Sequence, residues 1–548
     1  MTYPDALPAS LGPHAAAVEA RLGRWEEECA VARLWGGDHT LWSSGPDPGI
    51  AGRLGWMGLP DTLASGIPAF EAFAAGVAAD GIGRVVLLGM GGSSLAPEVF
   101  ARTFGGRPGY PILQVLDSTH PATVAAVDEQ ADPASTLFVV SSKSGTTIEP
   151  LSFLHHCWAR VAAVSPEPGR HFAAITDPGT ALASLARERG FRRVFEAPAD
   201  VGGRFSALTP FGLVPAALIG SDLGGWVAPV RAMAEACRRP PRANPGFVMG
   251  AILGELARAG RDKATFLVSP GLAALPAWIE QLVAESTGKH GTGIVPVAGE
   301  PAGPPGAYGD DRLFVYLSLE GEADDAQAAA VRTLEGSGHP VVRLKVSGLS
   351  SLGAEMYRAE VAVAMAGSVL GINPFDQPDV QLAKELASRA MAGEGEGGPI
   401  QAVPAADPEA LGTAVAAFLS GARVGDYLAV QAFVAQTPKA EAALQGLRLA
   451  LRDRGRIATT VGFGPRFMHS TGQLHKGGPA TGLFLQVVDR AAPDLPVPGE
   501  AYTFARLVRA QADGDYRALA SRGRRVMRVD LDGDPVGGLA ALEEAASL

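Results

Sequence analysis

The stretch TLFVVSSKSGTTIEP, residues 136–150, changes character twice. Thr136 to Val140 is an apolar run of the kind that lies buried on both faces of a parallel sheet. Ser142-Lys143-Ser144-Gly145-Thr146-Thr147 then gathers four hydroxyls, one ammonium and a glycine, and Ile148 to Arg160 reads as a helix. A strand–loop–helix turn of this composition presents hydroxyls and free backbone N–H groups where the helix dipole favours an anion. Phosphate is the natural guest.

Working outward, short apolar strands are expected at Val85–Leu88, Ile112–Leu116, Leu137–Val140, Phe172–Ile175 and Val194–Phe195, with helices between them at Pro121–Gln130 and Gly179–Arg189. Apolar strands alternating with helices predict a parallel sheet covered on both faces. The pattern restarts after the polar, Pro-rich stretch Arg238–Asn244. A second sheet is expected from Thr265–Val268, Leu313–Leu317 and Val341–Val346, with helices at Pro276–Ser286, Ala354–Leu370 and Val380–Met391. Gly393–Pro399 reads as a flexible break. Beyond it, Tyr427–Phe433, Ile457–Val461 and Leu483–Val488 read as strands and Ala440–Arg452 as a helix, either a third unit or the completion of the second. An amphipathic helix is expected at Ala15–Leu34, and the tail after Pro493 reads as ordinary helix. The expected division is 1–40 helical, 41–235 and 236–400 as two α/β domains, and 401–548 as an additional C-terminal α/β segment.

A chain of 548 residues is too long for one core. Hydrophobic content of 47% and charged content of 19% describe a packed globular protein. The net charge of −11 argues against a nucleic-acid partner, while leaving room for a phosphorylated small molecule in a locally opposed pocket. Three scattered cysteines, with no CxxC pair, suit a reducing cytoplasm and exclude a cysteine zinc site. Neither a signal peptide nor an uninterrupted apolar membrane span is expected.

Several other segments carry chemistry. Gly89-Met90-Gly91-Gly92-Ser93-Ser94 follows the first strand, and its glycines let a ligand approach the backbone. It matches a dinucleotide fingerprint only in part, because Ser94 stands where glycine is wanted. Val201-Gly202-Gly203-Arg204 places an always-charged fork on a turn, suited to an anion or an anionic intermediate, although a lone Arg is more often a surface ion pair. Gln281 and Glu285 share one face at the end of an apolar helix, where a carboxylate can serve as a general base or simply face solvent. Asn373-Pro374-Phe375-Asp376-Gln377-Pro378 leads into a helix carrying Lys384. Gly464 to Gly478 brackets His469 and His475 with glycines, the pattern of a functional loop.

Taken together and in this order, GMGGSSLAP, SSKSGTTIEP, VGGRFS, ESTGK and NPFDQP resemble the phosphoglucose isomerases, over roughly Leu41 to Met391. The later GPRFMHSTGQLHKGGP resembles the isomerase portion of bacterial transaldolase–isomerase fusion proteins. The resemblance implies two sugar-isomerase (SIS) domains, each a doubly wound parallel sheet in a three-layer α/β/α arrangement. It implies the interconversion of glucose 6-phosphate and fructose 6-phosphate through ring opening and an enediolate, with neither metal nor cofactor. Ser142, Ser144 and Thr147 match the phosphate loop, with Lys143 and Thr146 inside it; Gly92 and Ser93 match the turn lining the sugar. Gly203 and Arg204 match the pair beside the reacting carbons. Glu285 matches the catalytic base, Gln281 a ligand contact, and Gln377 and Lys384 the glutamine and lysine of the FDQ segment.

The family's ring-opening histidine falls between the ESTGK and FDQ motifs, where this chain has only the non-matching His339. His469 is therefore taken as a relocated replacement, with His475 second and His290 third. A non-catalytic SIS module that binds a sugar phosphate would need the hydroxyl loop but not Glu285, Arg204 and Lys384 together. An amidotransferase-type isomerase would need a glutaminase cysteine that Cys29 is not placed to supply, and a dehydrogenase would bind NAD. A homodimer is compatible with the resemblance.

Overall fold

The computed structural model describes residues 8–43, 45, 48–392, 398–490 and 493–547. Most of the expected break at Gly393–Pro399, residues 393–397, lies outside them. A short strand β1 (Ala9–Ser10) precedes three five-stranded sheets. The first contains β2 (Arg84–Gly89), β3 (Ile112–Leu116), β4 (Thr136–Ser141), β5 (Phe172–Thr176) and β6 (Arg193–Glu196), parallel and in the order β3-β2-β4-β5-β6. The second contains β7 (Lys263–Val268), β8 (Val295–Val297), β9 (Arg312–Leu319) and β10 (Val341–Val346), in the order β1-β10-β9-β7-β8 with β1 antiparallel at the edge. The third contains β11 (Val403–Pro404), β12 (Tyr427–Phe433), β13 (Ala458–Phe463), β14 (Gly482–Val488) and β15 (Arg525–Asp530), parallel and in the order β11-β15-β14-β12-β13.

Each sheet has the same switch. β2, β7 and β12 each have the next strand on one side and the one after it on the other. Loops at the carboxyl ends of such strands splay apart and leave a crevice for a ligand. Every residue of β4 is buried, which is why its sequence runs apolar without alternation. Gly89 and Ser141 are paired across β2 and β4, so the glycine-rich turn and the hydroxyl loop leave the sheet side by side.

The α/β class and the two doubly wound units agree with the sequence reading, and the C-terminal segment forms a complete sheet of its own. The remaining differences have local causes. The single helix expected over Ala15–Leu34 is two, Ala15–Glu27 and Ala30–Trp35, broken where Cys29 adopts φ +52°. β1, β8 and β11 are too short to carry a period, and β15 (RVMRVD) intersperses arginines. The polar stretch 238–244 is a turn between the helices Gly224–Ala236 and Pro245–Arg258. The Asn244 side chain accepts from the N–H groups of Gly246 and Phe247 and caps the helix Pro245–Arg258. Gly246, Gly250 and Gly254 of that helix sit so close to the helix Leu352–Leu370 that added Cβ atoms would lie 2.4 Å from Val361, 2.7 Å from the Ala362 carbonyl and 2.5 Å from Val369. The helix continuing from Gly55 to Ala79 has the length and composition to cross a membrane. In this fold its Leu63, Ile67, Phe70, Ala74 and Val77 are buried, and it packs on the helices Pro210–Leu218 and Gly224–Ala236.

Glu360 lies wholly inside this core, with both carboxylate oxygens unpartnered among the described residues. Burial pushes its carboxyl well above the ordinary range, so it is protonated in the fold. A raised carboxyl contributes stability that is complete below the unfolded-state value and is lost as pH rises toward the folded-state value. Glu360→Gln should therefore be more stable than the parent at pH 8, by about 1–3 kcal/mol, with the gain shrinking toward pH 4.5 in calorimetric scans.

Candidate active site

Four loops from three sheets converge at one place. The turn after β2 carries Gly91, at φ +54°, and Gly92. A Cβ on Gly91 would lie 2.6 Å from the His469 carbonyl oxygen, and one on Gly92 would lie 2.2 Å from the Gly203 carbonyl. These two positions exclude any side chain, because the turn is pressed between the Gly203–Phe205 turn and the loop beyond β13. Ser93 is buried, and its carbonyl accepts the Ser141 hydroxyl at 3.0 Å.

Arg204 is 2% exposed, and its guanidinium is spent on the protein. Nε donates to Ser286 Oγ at 2.7 Å, Nη1 to Gln377 Oε1 at 3.0 Å, and Nη2 to the carbonyls of Pro374 and Asp376 at 2.6 and 3.0 Å. Nη1 also lies 3.3 Å from Glu285 Oε1. Burial lowers its pKa and the carboxylates of Glu285 and Asp376 oppose that shift. The second Glu285 oxygen accepts from Gln281 Nε2 at 3.1 Å, and the same amide donates to the His469 carbonyl at 2.9 Å. The Glu285 side chain is 13% exposed, so its carboxylate is fixed from two sides and still reachable. Lys289, wholly buried, donates to the Asn373 carbonyl and to Asp376, and so holds the NPFDQP loop against the helix end.

A cavity of about 330 Å³ lies on the other side of His469. Ser144, Thr146, Thr147, Glu149, Lys384 and His469 all line it. The hydroxyls form a chain: Ser142 Oγ donates to Thr147 Oγ1 at 3.2 Å, and Ser144 Oγ lies 3.0 Å from Thr146 Oγ1. Gly145, at φ +68°, makes the sharp bend. His469 Nε2 is 2.9 Å from Glu149 Oε1. Burial raises the Glu149 carboxyl, but His469 and the residue's own backbone N–H bring it below its ordinary value.

The sequence-predicted residues thus fall into two linked groups. Arg204, Gln281, Glu285 and Gln377 form one, and the hydroxyl loop, Lys384 and His469 the other. His469 joins them, through its carbonyl to Gln281 and its ring to Glu149. Three named candidates stand elsewhere. The Lys143 ammonium turns away to Asp177 Oδ2 (2.6 Å) and the Ala199 carbonyl. His475 is buried between Tyr427, Phe467 and Phe484, with Nδ1 3.1 Å from Gln431 Nε2, and burial drives its pKa well below normal. His290 is exposed at a left-handed turn.

Glu149, Ser286 and Arg466 went unremarked in the sequence. An acid in a helix's first turn is the ordinary match to the dipole, which hid Glu149. Arg466 pairs with Glu98 and lies 3.4 Å from Asp117 Oδ2, fastening the His469 loop to the first sheet.

A family model described as Phosphoglucose isomerase matches residues 68–299. A glucose-6-phosphate isomerase from Rubrobacter xylanophilus is 30% identical over 390 residues, spanning 62% of this chain and 90% of that protein. The chain belongs to the phosphoglucose isomerase family. A second relative, a glucose-6-phosphate isomerase from Symbiobacterium thermophilum, is 30% identical over 430 residues, 69% of this chain and 93% of its own. Among solved structures, a Thermus thermophilus protein described as hypothetical superposes with a TM-score of 0.61 at 26% identity, covering 70% of this chain and all of that one. The first two sheets are the SIS-type units of the family.

Arg204→Lys would supply three donors where five contacts exist and leave buried carbonyls bare. It should lower stability by about 2–3 kcal/mol in urea unfolding.

Proposed function

We propose that this chain interconverts glucose 6-phosphate and fructose 6-phosphate, with Glu285 moving a proton between C2 and C1. The observation that carries this reading is the Glu285 carboxylate, held by Arg204 on one oxygen and Gln281 on the other, beside a glycine turn too crowded for any side chain. A base must be aimed before it is useful, and two fixed partners aim it.

The substrate's phosphate rests on Ser142, Ser144, Thr146 and Thr147, at the start of the helix Ile148–Ala162, whose free N–H groups favour an anion. That grip does no chemistry; it supplies remote binding energy that positions the first two carbons. His469, with Lys384 across the cavity, moves the proton between the ring oxygen and the anomeric hydroxyl. The Glu149 carboxylate accepts Nε2–H, which leaves Nδ1 as the ring nitrogen available to exchange a proton with the sugar. Glu285 then takes the C2 proton and returns it to C1. Arg204, fixed in advance, sets its positive charge beside the Glu285 carboxylate and the developing enediolate; its N–H groups are already taken by the protein, so it acts through its field and not as a hydrogen-bond donor to the sugar. Lys143 serves through its backbone place in the loop, since its ammonium is bound to Asp177.

Glu285→Gln should retain sugar-phosphate binding by calorimetry and lose at least about 100-fold in kcat; turnover at the parental rate in a coupled assay would refute the assignment. His469→Ala should lose about 100-fold on fructose 6-phosphate but little on an analogue without the 5-hydroxyl, which cannot close its ring. Equal losses on both substrates would remove His469 from ring opening.

A further inference from the structure

The tail after Pro493 reads in sequence as ordinary helix, yet two residues of its helix Phe504–Ser521 line the cavity and a third binds a lining residue. Leu507, Gln511 and Asp515 stand one turn apart on a single face, all buried. Leu507 and Gln511 line the cavity; Asp515 binds the ammonium of Lys476, another lining residue, at 2.5 Å. The helix is seated on the helix Ile148–Ala162. Phe504 stacks on Phe153, with ring centroids 6.0 Å apart, and the Tyr502 hydroxyl is 3.0 Å from Ser152 Oγ. Glu149, Ser152 and Phe153 share the face that receives it.

Gln511 meets the carboxylate that holds His469. Its Nε2 donates to Glu149 Oε1 at 2.7 Å, the same oxygen that faces His469 Nε2. Its Oε1 accepts the hydroxyl of Thr119 at 2.6 Å, so the amide cannot flip without losing both bonds. Thr119 is itself wholly buried, in the loop after β3. The chain Thr119–Gln511–Glu149–His469 therefore runs from the first sheet, through the helix Phe504–Ser521, back to the first unit's helix and on to the loop beyond β13.

We propose that Gln511 is a positioning residue for ring opening: its amide pins the Glu149 carboxylate in the orientation that fixes the His469 ring and leaves Nδ1 free to exchange a proton with the sugar. The inference rests on the His469 reading above. A carboxylate with one donor removed can swing about its terminal torsion, and the imidazole it orients then samples unproductive angles. A carboxylate placed where the amide stood is a stronger perturbation. Two acids sharing one site hold a proton between them to higher pH, and a protonated Glu149 no longer compels Nε2–H.

The test compares Gln511→Glu and Gln511→Leu with the parent on fructose 6-phosphate and on the analogue lacking the 5-hydroxyl, across pH 5–9. Expected for Gln511→Glu is a loss of about 10- to 100-fold on the ring-forming substrate, within the range that a general acid–base contributes. The acid limb of its kcat profile should move upward by about one pH unit, and turnover of the open analogue should stay within about twofold. Gln511→Leu should show the loss without the displaced limb. Should Gln511→Glu fail to fold, Thr119→Val, which leaves Gln511 in place and frees its amide, should give a smaller ring-specific loss that Thr119→Ser restores. Parental rates and an unmoved pH profile in folded variants, or equal losses on both substrates, would overturn the proposal. His469→Ala run alongside separates the causes. If it shows no ring-specific loss, the ring-opening reading has failed; if it does and Gln511 variants do not, only the positioning role has.

Discussion

A guanidinium cannot be neutralised by moving its proton, so burying Arg204 obliges the fold to supply partners for all of its donors. Those partners come from two places: Ser286 and Glu285 at the end of the helix Leu275–Thr287, and the Gln377 side chain with two carbonyls of the NPFDQP loop. Removing one partner would leave a buried charge exposed to a low-dielectric surround, and that cost couples the first sheet's last loop to the second sheet's helix. Lys289 repeats the device on the same loop, from the other side. Glu285, Arg204 and the NPFDQP loop are thus held by obligations of charge rather than by apolar contact alone.

The second constraint is crowding. Gly92 packs its α-carbon against Gly203, and Gly91 lies under the His469 carbonyl. The Gln281 amide spans the Glu285 carboxylate and that carbonyl. Backbone at this density moves little, and it fixes the distance between the carboxylate and the histidine backbone. Arg466 adds a long-range tether, because Glu98 and Asp117 belong to the first unit and Arg466 to the third. Burial raises Asp117 toward its protonated form, while the Arg466 charge resists it.

The third sheet changes what the chain can do alone. It delivers His469 from the loop beyond β13 and Gln511 from the helix beyond β14, and both meet Glu149 within one chain. Its strand order has the same switch as that of the first sheet, and the loop at the carboxyl end of β13 reaches the crevice that the first two units share.

The order of amino acids is enough to set the α/β units and the direction of their strands. Runs such as TLFVV and VVLLG read as buried parallel strands, and the loops that follow them carry their chemistry openly, because glycine, serine, threonine and arginine on a turn are short-range signals. Glu285, Arg204 and the hydroxyl loop were legible for that reason. Which histidine lines the cavity is decided by packing, since His469 and His475 share one glycine-bracketed loop and differ in what lies against them: a carboxylate in one case, three aromatic rings in the other. Packing also commits Lys143 to Asp177, sets Glu149 against a ring 320 residues away, and brings Gln511, in a helix of ordinary composition, to the cavity. The physical reason is range. Local sequence encodes backbone shape and burial, whereas a side chain's role depends on the group it meets across the fold, and no periodicity records that meeting.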